Sequence, residues 1–164
     1  MKLHIKIFCF FAAFIVVTAV AISTAKAQKN EPPSGQFGFG VYASEDFSCG
    51  VDGVYALSPN LQIGSLLSFN VRSGGGNSSS LFLLGPFVRI LASSKVSPYF
   101  EGRFMLFTGS GNSNAGLFLG GGLAYYLNHE IGVHAGIDII NLYFSPSFTI
   151  FGLTSFLAGA DWFF

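Results

Sequence analysis

Charge is what this sequence has least of. Charged residues make up 10% of its 164 positions, against roughly 25% in an ordinary soluble domain. So few charges leave a water-facing surface of this size hard to cover. Long apolar runs are missing too. Beyond residue 27, no segment carries the ~20 consecutive apolar residues that a membrane-spanning helix needs. Cysteine is scarce, with two in the chain. Cys9 lies in the N-terminal segment, so only Cys49 is left for the mature protein and no intrachain disulfide can form. A basic surface is absent as well. Past residue 27, Lys29, Arg72, Arg89, Lys95 and Arg103 stand against Glu31, Glu45, Asp46, Asp52, Glu101, Glu130, Asp138 and Asp161, five against eight, a net charge of −3. That is not the footprint of a nucleic-acid binder, and no nucleic-acid partner is expected.

Apolar residues are plentiful. They make up 51% of the chain, with 20 Phe, and there are 21 Gly. High apolarity without a helical span is what a membrane β-barrel shows, because its apolar side chains are dealt to alternate positions.

The first 27 residues carry the marks of an export signal. Lys2 and Lys6 give a positive start, residues 7–22 form an apolar run broken only by Thr18, and Ala25-Lys26-Ala27 is an A-x-A cleavage pattern. Cleavage is expected between Ala27 and Gln28. An uncleaved anchor helix is the alternative, but the run ends in small residues rather than a basic stop-transfer cluster. Residues 28–35 (QKNEPPSG), polar and with two prolines, read as a periplasmic linker without regular structure. Residues 36–164 then form one domain.

That domain falls into segments of about ten residues with period-two alternation. Eight strands are predicted: 36–44, 50–57, 61–72, 81–91, 98–108, 116–127, 131–140 and 154–164. Short turns are expected at 58–60, 92–97 and 128–130. Longer loops are expected at 73–80, 109–115 and 141–153, the first two rich in Gly, Ser and Asn, and a short link at 45–49. Short turns on one side and longer loops on the other fit an outer-membrane barrel with both termini in the periplasm. The fourth strand is apolar on both faces, so its register is the least defined. Pro86 lies within it, and a closed barrel has no free edge, so a bulge is expected there.

Alternation alone does not separate a membrane barrel from a soluble one turned inside out. Residue type does. The polar face is mostly Gly, Ser, Ala and Asn, with charges at Asp52, Arg72, Arg89, Glu101, Arg103, Asp138 and Asp161. Small residues and opposed charges suit the narrow bore of eight strands, which side chains can fill. An Arg on the lipid face at mid-bilayer would cost about 2–4 kcal/mol. These seven residues and His134 are therefore predicted to form a salt-bridged network in the lumen. Tyr42, Tyr55, Tyr99, Tyr125 and Trp162 are candidates for interfacial aromatic belts. A secreted soluble barrel remains the competing arrangement.

At the C-terminus, Phe156, Trp162 and Phe164 lie on one alternating apolar face. The pattern resembles the signal that barrel-assembly machinery recognises in outer-membrane proteins. Gly85-Pro86-Phe87-Val88-Arg89, Pro98-Tyr99-Phe100-Glu101-Gly102 and Gly120-Gly121-Gly122-Leu123-Ala124-Tyr125-Tyr126-Leu127 are similar to stretches of the outer membrane protein β-barrel domain family of Gram-negative bacteria. Ile90-Leu91 departs from the aromatic pair usual after that arginine. The resemblance implies a small OmpA/OmpX-like all-β, up-and-down transmembrane barrel. It also implies the cell outer membrane as location, and lipid and the assembly machinery as partners.

Little in the chain points to chemistry. His134 is the best candidate base, but some barrel lipid deacylases pair a late-strand histidine with a serine two residues on, and that position is Gly136. His129, in a turn beside Glu130, reads as solvated, and two histidines without cysteine do not make a zinc site. Asp52, Glu101, Asp138 and Asp161 could supply a carboxylate pair, yet arginines of the same parity favour an ion-paired plug. GSGNSN lacks the Lys-Ser/Thr ending of a phosphate loop. The expectation is a monomeric, non-enzymatic structural or surface-interaction barrel with no cofactor and no metal. A narrow, porin-like channel for ions or small solutes is the alternative, and a lipid-modifying enzyme the next.

Overall fold

A two-faced alternating sheet must dispose of its edges, and closing on itself is the one arrangement that removes them. The computed structural model describes residues 33–44, 49–74, 77–92, 95–109, 112–144 and 147–164. The expected signal segment, its cleavage site at Ala27 and Gln28 and most of the linker 28–35 lie outside the described residues. The described chain forms β1 (Gln36–Ser44), β2 (Cys49–Ser58), β3 (Leu61–Gly74), β4 (Asn77–Leu91), β5 (Val96–Gly109), β6 (Asn112–Tyr126), β7 (Ile131–Phe144) and β8 (Ser147–Phe163). Each strand runs antiparallel to the next, and β1 also pairs with β8, closing the barrel. The expected all-β, eight-stranded antiparallel barrel is borne out.

The two faces separate as the alternation requires. On β1, Phe37, Phe39 and Val41 are exposed while Gly38 and Gly40 are buried. On β2, Asp52, Val54 and Ala56 are buried. The ambiguous β4 turns Gly85, Phe87, Arg89 and Leu91 inward and Pro86, Val88 and Ile90 outward. A charge has one tolerable side, so Arg89 sets that register.

Several expectations need correction. The segments 73–80, 109–115 and 141–153 are not long loops. Strand pairing continues to Gly74↔Asn77, Gly109↔Asn112 and Phe144↔Ser147, leaving two-residue connections. Ser, Gly and Asn are weak strand formers in isolation, but each arm of a hairpin supplies the other's backbone partners, and strand propensity yields to such context. The predicted asymmetry of loop lengths is therefore absent at these three hairpins. The opposite end carries the turns at 59–60 and 127–130, the β4–β5 connection and both barrel termini. There Asn128 Oδ1 accepts from the backbone N–H of Glu130 (2.8 Å) and Ile131 (2.7 Å), an Asx turn.

Pro86 makes no bulge. Leu84↔Leu106 and Phe87↔Arg103 keep one register across it, and Pro86 still sits opposite Ser65 on its other side. The missing N–H is accommodated by skipping ladder pairs rather than by inserting a residue. A true irregularity lies at Ile139. On β8, Ser155 pairs with Asp138 and Phe151 with Ile140, so residues 152–154 face Ile139 alone, and Gly152 takes a φ of 142°. Against β6, Leu119 pairs with Ile140 and Gly120 with Asp138, so Ile139 is one residue too many there, and it moves the inward set of β7 from His134, Gly136 and Asp138 to Asn141 and Tyr143.

The bore is also less uniformly small and ionic than expected. Val54, Leu66, Phe87, Tyr99, Met105, Phe118, Tyr126 and Phe163 are buried within it. Tyr99 and Tyr42, proposed above for interfacial belts, belong to this interior. Tyr125 and Trp162 are exposed, and Tyr55 packs against the outward Phe37, the rings tilted with centroids 4.5 Å apart.

Because Ile139 is the supernumerary residue of β7, deleting it should leave Asn141 and Tyr143 inward and preserve folding. Deleting Ile137 should instead put Asp138 on the outward position and Ile139 on the inward one, and so lower the folded fraction. The folded fraction, read as the heat-modifiable band on an unboiled gel, checks both.

Candidate functional site

The charged strand residues converge because they occupy shared pairing rows. One row runs Gln62↔Arg89↔Glu101↔Gly120↔Asp138↔Ser155 across five adjacent ladders. A second runs Asp52↔Gly40↔Asp161↔Gly132. Members of one row point to the same side of the sheet, here the lumen.

Arg89 is the hub. Its Nε donates to Glu101 Oε2 at 2.7 Å, and its Nη1 to Asp161 Oδ2 at 3.1 Å and to Gln62 Oε1 at 3.3 Å. Gln62 Nε2 in turn donates to the Tyr126 hydroxyl at 2.9 Å. The guanidinium carbon lies 5.3 Å from the Phe87 ring centre and 5.1 Å from that of Tyr99, within cation–π range. Arg103 Nε stands 3.3 Å from Glu101 Oε1. Its Nη2 donates to Asp138, whose second oxygen accepts from Ser155 Oγ at 2.6 Å. His134 Nδ1 is 3.3 Å from Asp161 Oδ2.

Two glycines make room for these groups. A Cβ on Gly40 would strike the carboxylates of both Asp52 and Asp161, its row neighbours. One on Gly120 would strike the Ile137 carbonyl and Asp138. Among the described residues, Asp52 Oδ1 and Asp161 Oδ1 are buried without a hydrogen-bond partner.

Seven of the eight predicted lumen residues, namely Asp52, Arg89, Glu101, Arg103, His134, Asp138 and Asp161, thus line the bore together. The eighth is Arg72. Its backbone pairs with Ser79 near the hairpin end of β3, ten positions from Gln62, or about 33 Å along a strand. Its side chain lies outside the described residues. Gln62, Tyr99, Tyr126 and Ser155 were not anticipated. Gln62 shares the inward parity of β3 and Ser155 that of Asp161 in β8, which was the available signal; the contact of Ser155 with Asp138 comes from the β7–β8 register. Among the described residues, no group of three or more His, Cys, Asp or Glu is placed to hold a metal ion. Phe156, Trp162 and Phe164 all project outward from the C-terminal end, with Phe164 78% exposed.

The lumen divides in two. Around Arg89 a gap of about 20 Å³ remains, room for roughly one water. Above Arg103, toward the hairpin end, lies a cavity of about 240 Å³ with Asp138 and Ser155 at its floor.

No family model matches the sequence, and no curated protein matches it. Among solved structures, the chain is similar to the N-terminal β-barrel domain of Pseudomonas aeruginosa OprF, with a TM-score of 0.60 and 11% identity over 80% of this chain and 98% of that one. A de novo designed transmembrane β-barrel gives a TM-score of 0.47 and 17% identity over 82% of this chain and 99% of that one. The fold is thus of the outer-membrane barrel type, with Gly85–Arg89 in β4, Pro98–Gly102 in β5 and Gly120–Tyr126 in β6.

Removing Arg89 leaves buried carboxylates uncompensated, so Arg89→Met should cost about 3–5 kcal/mol. Lys95→Ala, which loses an exposed contact 5.2 Å from the Tyr125 ring, should cost less than about 1 kcal/mol. Gly40→Ala should cost about 1–3 kcal/mol through overpacking. Gly53→Ala, where a Cβ meets nothing within 4 Å, should be near neutral. Urea unfolding from lipid vesicles measures all four.

Proposed function

We propose that this chain is an exported integral outer-membrane protein with a non-enzymatic, structural or surface-interaction role, its bore closed by a salt-bridged plug. One observation carries the reading. Every charged side chain described on a strand, Asp52, Arg89, Glu101, Arg103, Asp138 and Asp161, faces the lumen, while the exposed Lys95 and Glu130 lie in turns. The outer surface of the strands is built from residues such as Phe37, Phe39, Phe69, Val88, Phe100, Leu123 and Phe151, all at least 46% exposed. A soluble monomer rarely exposes a contiguous apolar patch beyond a few hundred Å², whereas lipid solvates such a belt. A secreted soluble barrel would need the reverse arrangement.

The partners proposed are outer-membrane lipid and the barrel-assembly machinery, the latter through Phe156, Trp162 and Phe164, with the barrel as a monomer. The filled region around Arg89 weighs against free passage of solutes. A lipid-modifying role finds little support, since the His134 side chain is 2% exposed and lies inside the barrel, away from acyl chains.

In cell fractionation the protein should enter the outer membrane and give a heat-modifiable band, and deleting Phe164 should reduce that band. Val88→Arg, on the outer face, should lower stability by about 2–4 kcal/mol if Val88 lies near mid-bilayer, whereas a soluble barrel would tolerate it. Purified protein should show no steady conductance in planar bilayers. Lipid A incubated with it should keep its mass, and a mass change lost in His134→Ala would instead establish an enzyme.

A further inference from the structure

The bore is filled unevenly, and the unfilled part has a built character of its own. Protein interiors hold few voids larger than a water molecule, yet the space above Arg103 measures about 240 Å³ and is partly open rather than sealed. An apolar cavity of about 150 Å³ accepts benzene, so this one has room for a substituted ring or a chain of similar bulk. Much of its wall is apolar, with Leu83, Met105, Phe107, Phe118, Tyr143 and Leu157, while Tyr42, Ser44 and Asn141 add polar groups. The three rings brace one another, with centroids 5.6 Å apart for Phe107–Phe118, 5.5 Å for Phe118–Tyr143 and 6.1 Å for Phe107–Tyr143. The floor is polar but matched within itself. Arg103 is engaged by Glu101 and Asp138, and Asp138 also by Ser155. A charged ligand would have to break those pairs to find a counter-charge, while a neutral one need only lay a hydroxyl or carbonyl on them.

The cavity also lies behind the one place where the β7–β8 ladder is interrupted by several residues. Asp138 and Ser155 line it from one side of the interruption, Asn141 and Ile150 from the other. Residues 152–154 there have only Ile139 opposite them, and Leu153 within this segment and Phe151 beside it are 79% and 78% exposed on the outer face.

We propose that the upper cavity binds a small, neutral, mostly apolar molecule with one polar end, admitted from the lipid through the β7–β8 interruption. The site goes beyond the structural role above and rests on that reading only for its lipid route.

The test uses the barrel folded in lipid nanodiscs in a Cys49→Ser background, with ¹³C-methyl methionine. Met105 lines the cavity and is buried, and its signal is assigned with Met105→Leu. Cyclohexanol, cyclohexylammonium and cyclohexanecarboxylate share a ring and differ in charge. Cyclohexanol should shift the Met105 methyl saturably, and the two ions should bind at least tenfold more weakly. Leu83→Phe and Leu157→Phe, filling the cavity from different strands, should each weaken cyclohexanol binding tenfold or more. A shift that never saturates, equal response to the ions, or unchanged affinity in a folded filling variant overturns the site. A disulfide joining Ile140→Cys and Phe151→Cys, at paired positions beside the interruption, should slow cyclohexanol exchange by at least tenfold. Unchanged exchange would overturn the lipid route in favour of entry from water. Heat modifiability of the same samples reports on the membrane-barrel reading separately.

Discussion

A guanidinium inside a closed bore cannot be rehydrated, and the lower half of this barrel is organised around that fact. Taking one ion out of water costs several kcal/mol even after relaxation. Arg89, with 3% of its side chain exposed, recovers this through Glu101, Asp161 and Gln62 and through two aromatic faces. Each partner then needs its own accounting. Glu101 is shared with Arg103, Asp161 with His134, and Gln62 with Tyr126. The register of β4, the identity of its strand neighbours and the narrowness of the bore are all tied to seating this one cation.

Barrel geometry makes such a network economical. Antiparallel pairing lines up residues from distant parts of the chain along rows, and the two rows described here gather charges from β2, β4, β5, β7 and β8. The cost is crowding, relieved by placing Gly40 between Asp52 and Asp161 and Gly120 between Glu101 and Asp138. Glycine in a strand interior weakens it slightly, but here no larger residue leaves room for the neighbouring carboxylates.

Parity was the legible part of this fold. Glu101 and Arg103 share a face opposite Phe100 and Phe104 whatever the architecture, so the inward set could be listed before any coordinates. What could not be listed depends on partners far away in sequence. The Ser-rich arm 77–80 looks like a loop until 71–74 is laid against it. Pro86 suggested a bulge because proline lacks a donor, but a ladder can skip a pair without changing register. Ile139 gives no local sign of being supernumerary, since it sits in an apolar run whose neighbours would suit either face. Phe87, Tyr99 and Phe118 turn inward because a bore must be filled by volume as well as by polarity. How far along the bore a residue sits, as with the backbone of Arg72 near the hairpin end of β3, is set by ladder register rather than by alternation.

The hairpins bear on what the barrel presents at the end away from its termini. Pairing in three of them runs up to Gly74↔Asn77, Gly109↔Asn112 and Phe144↔Ser147, so the strand arms there are hydrogen-bonded backbone. A partner pressing on those arms would meet groups already held in place, without the entropic toll of ordering them. Such arms suit recognition by shape.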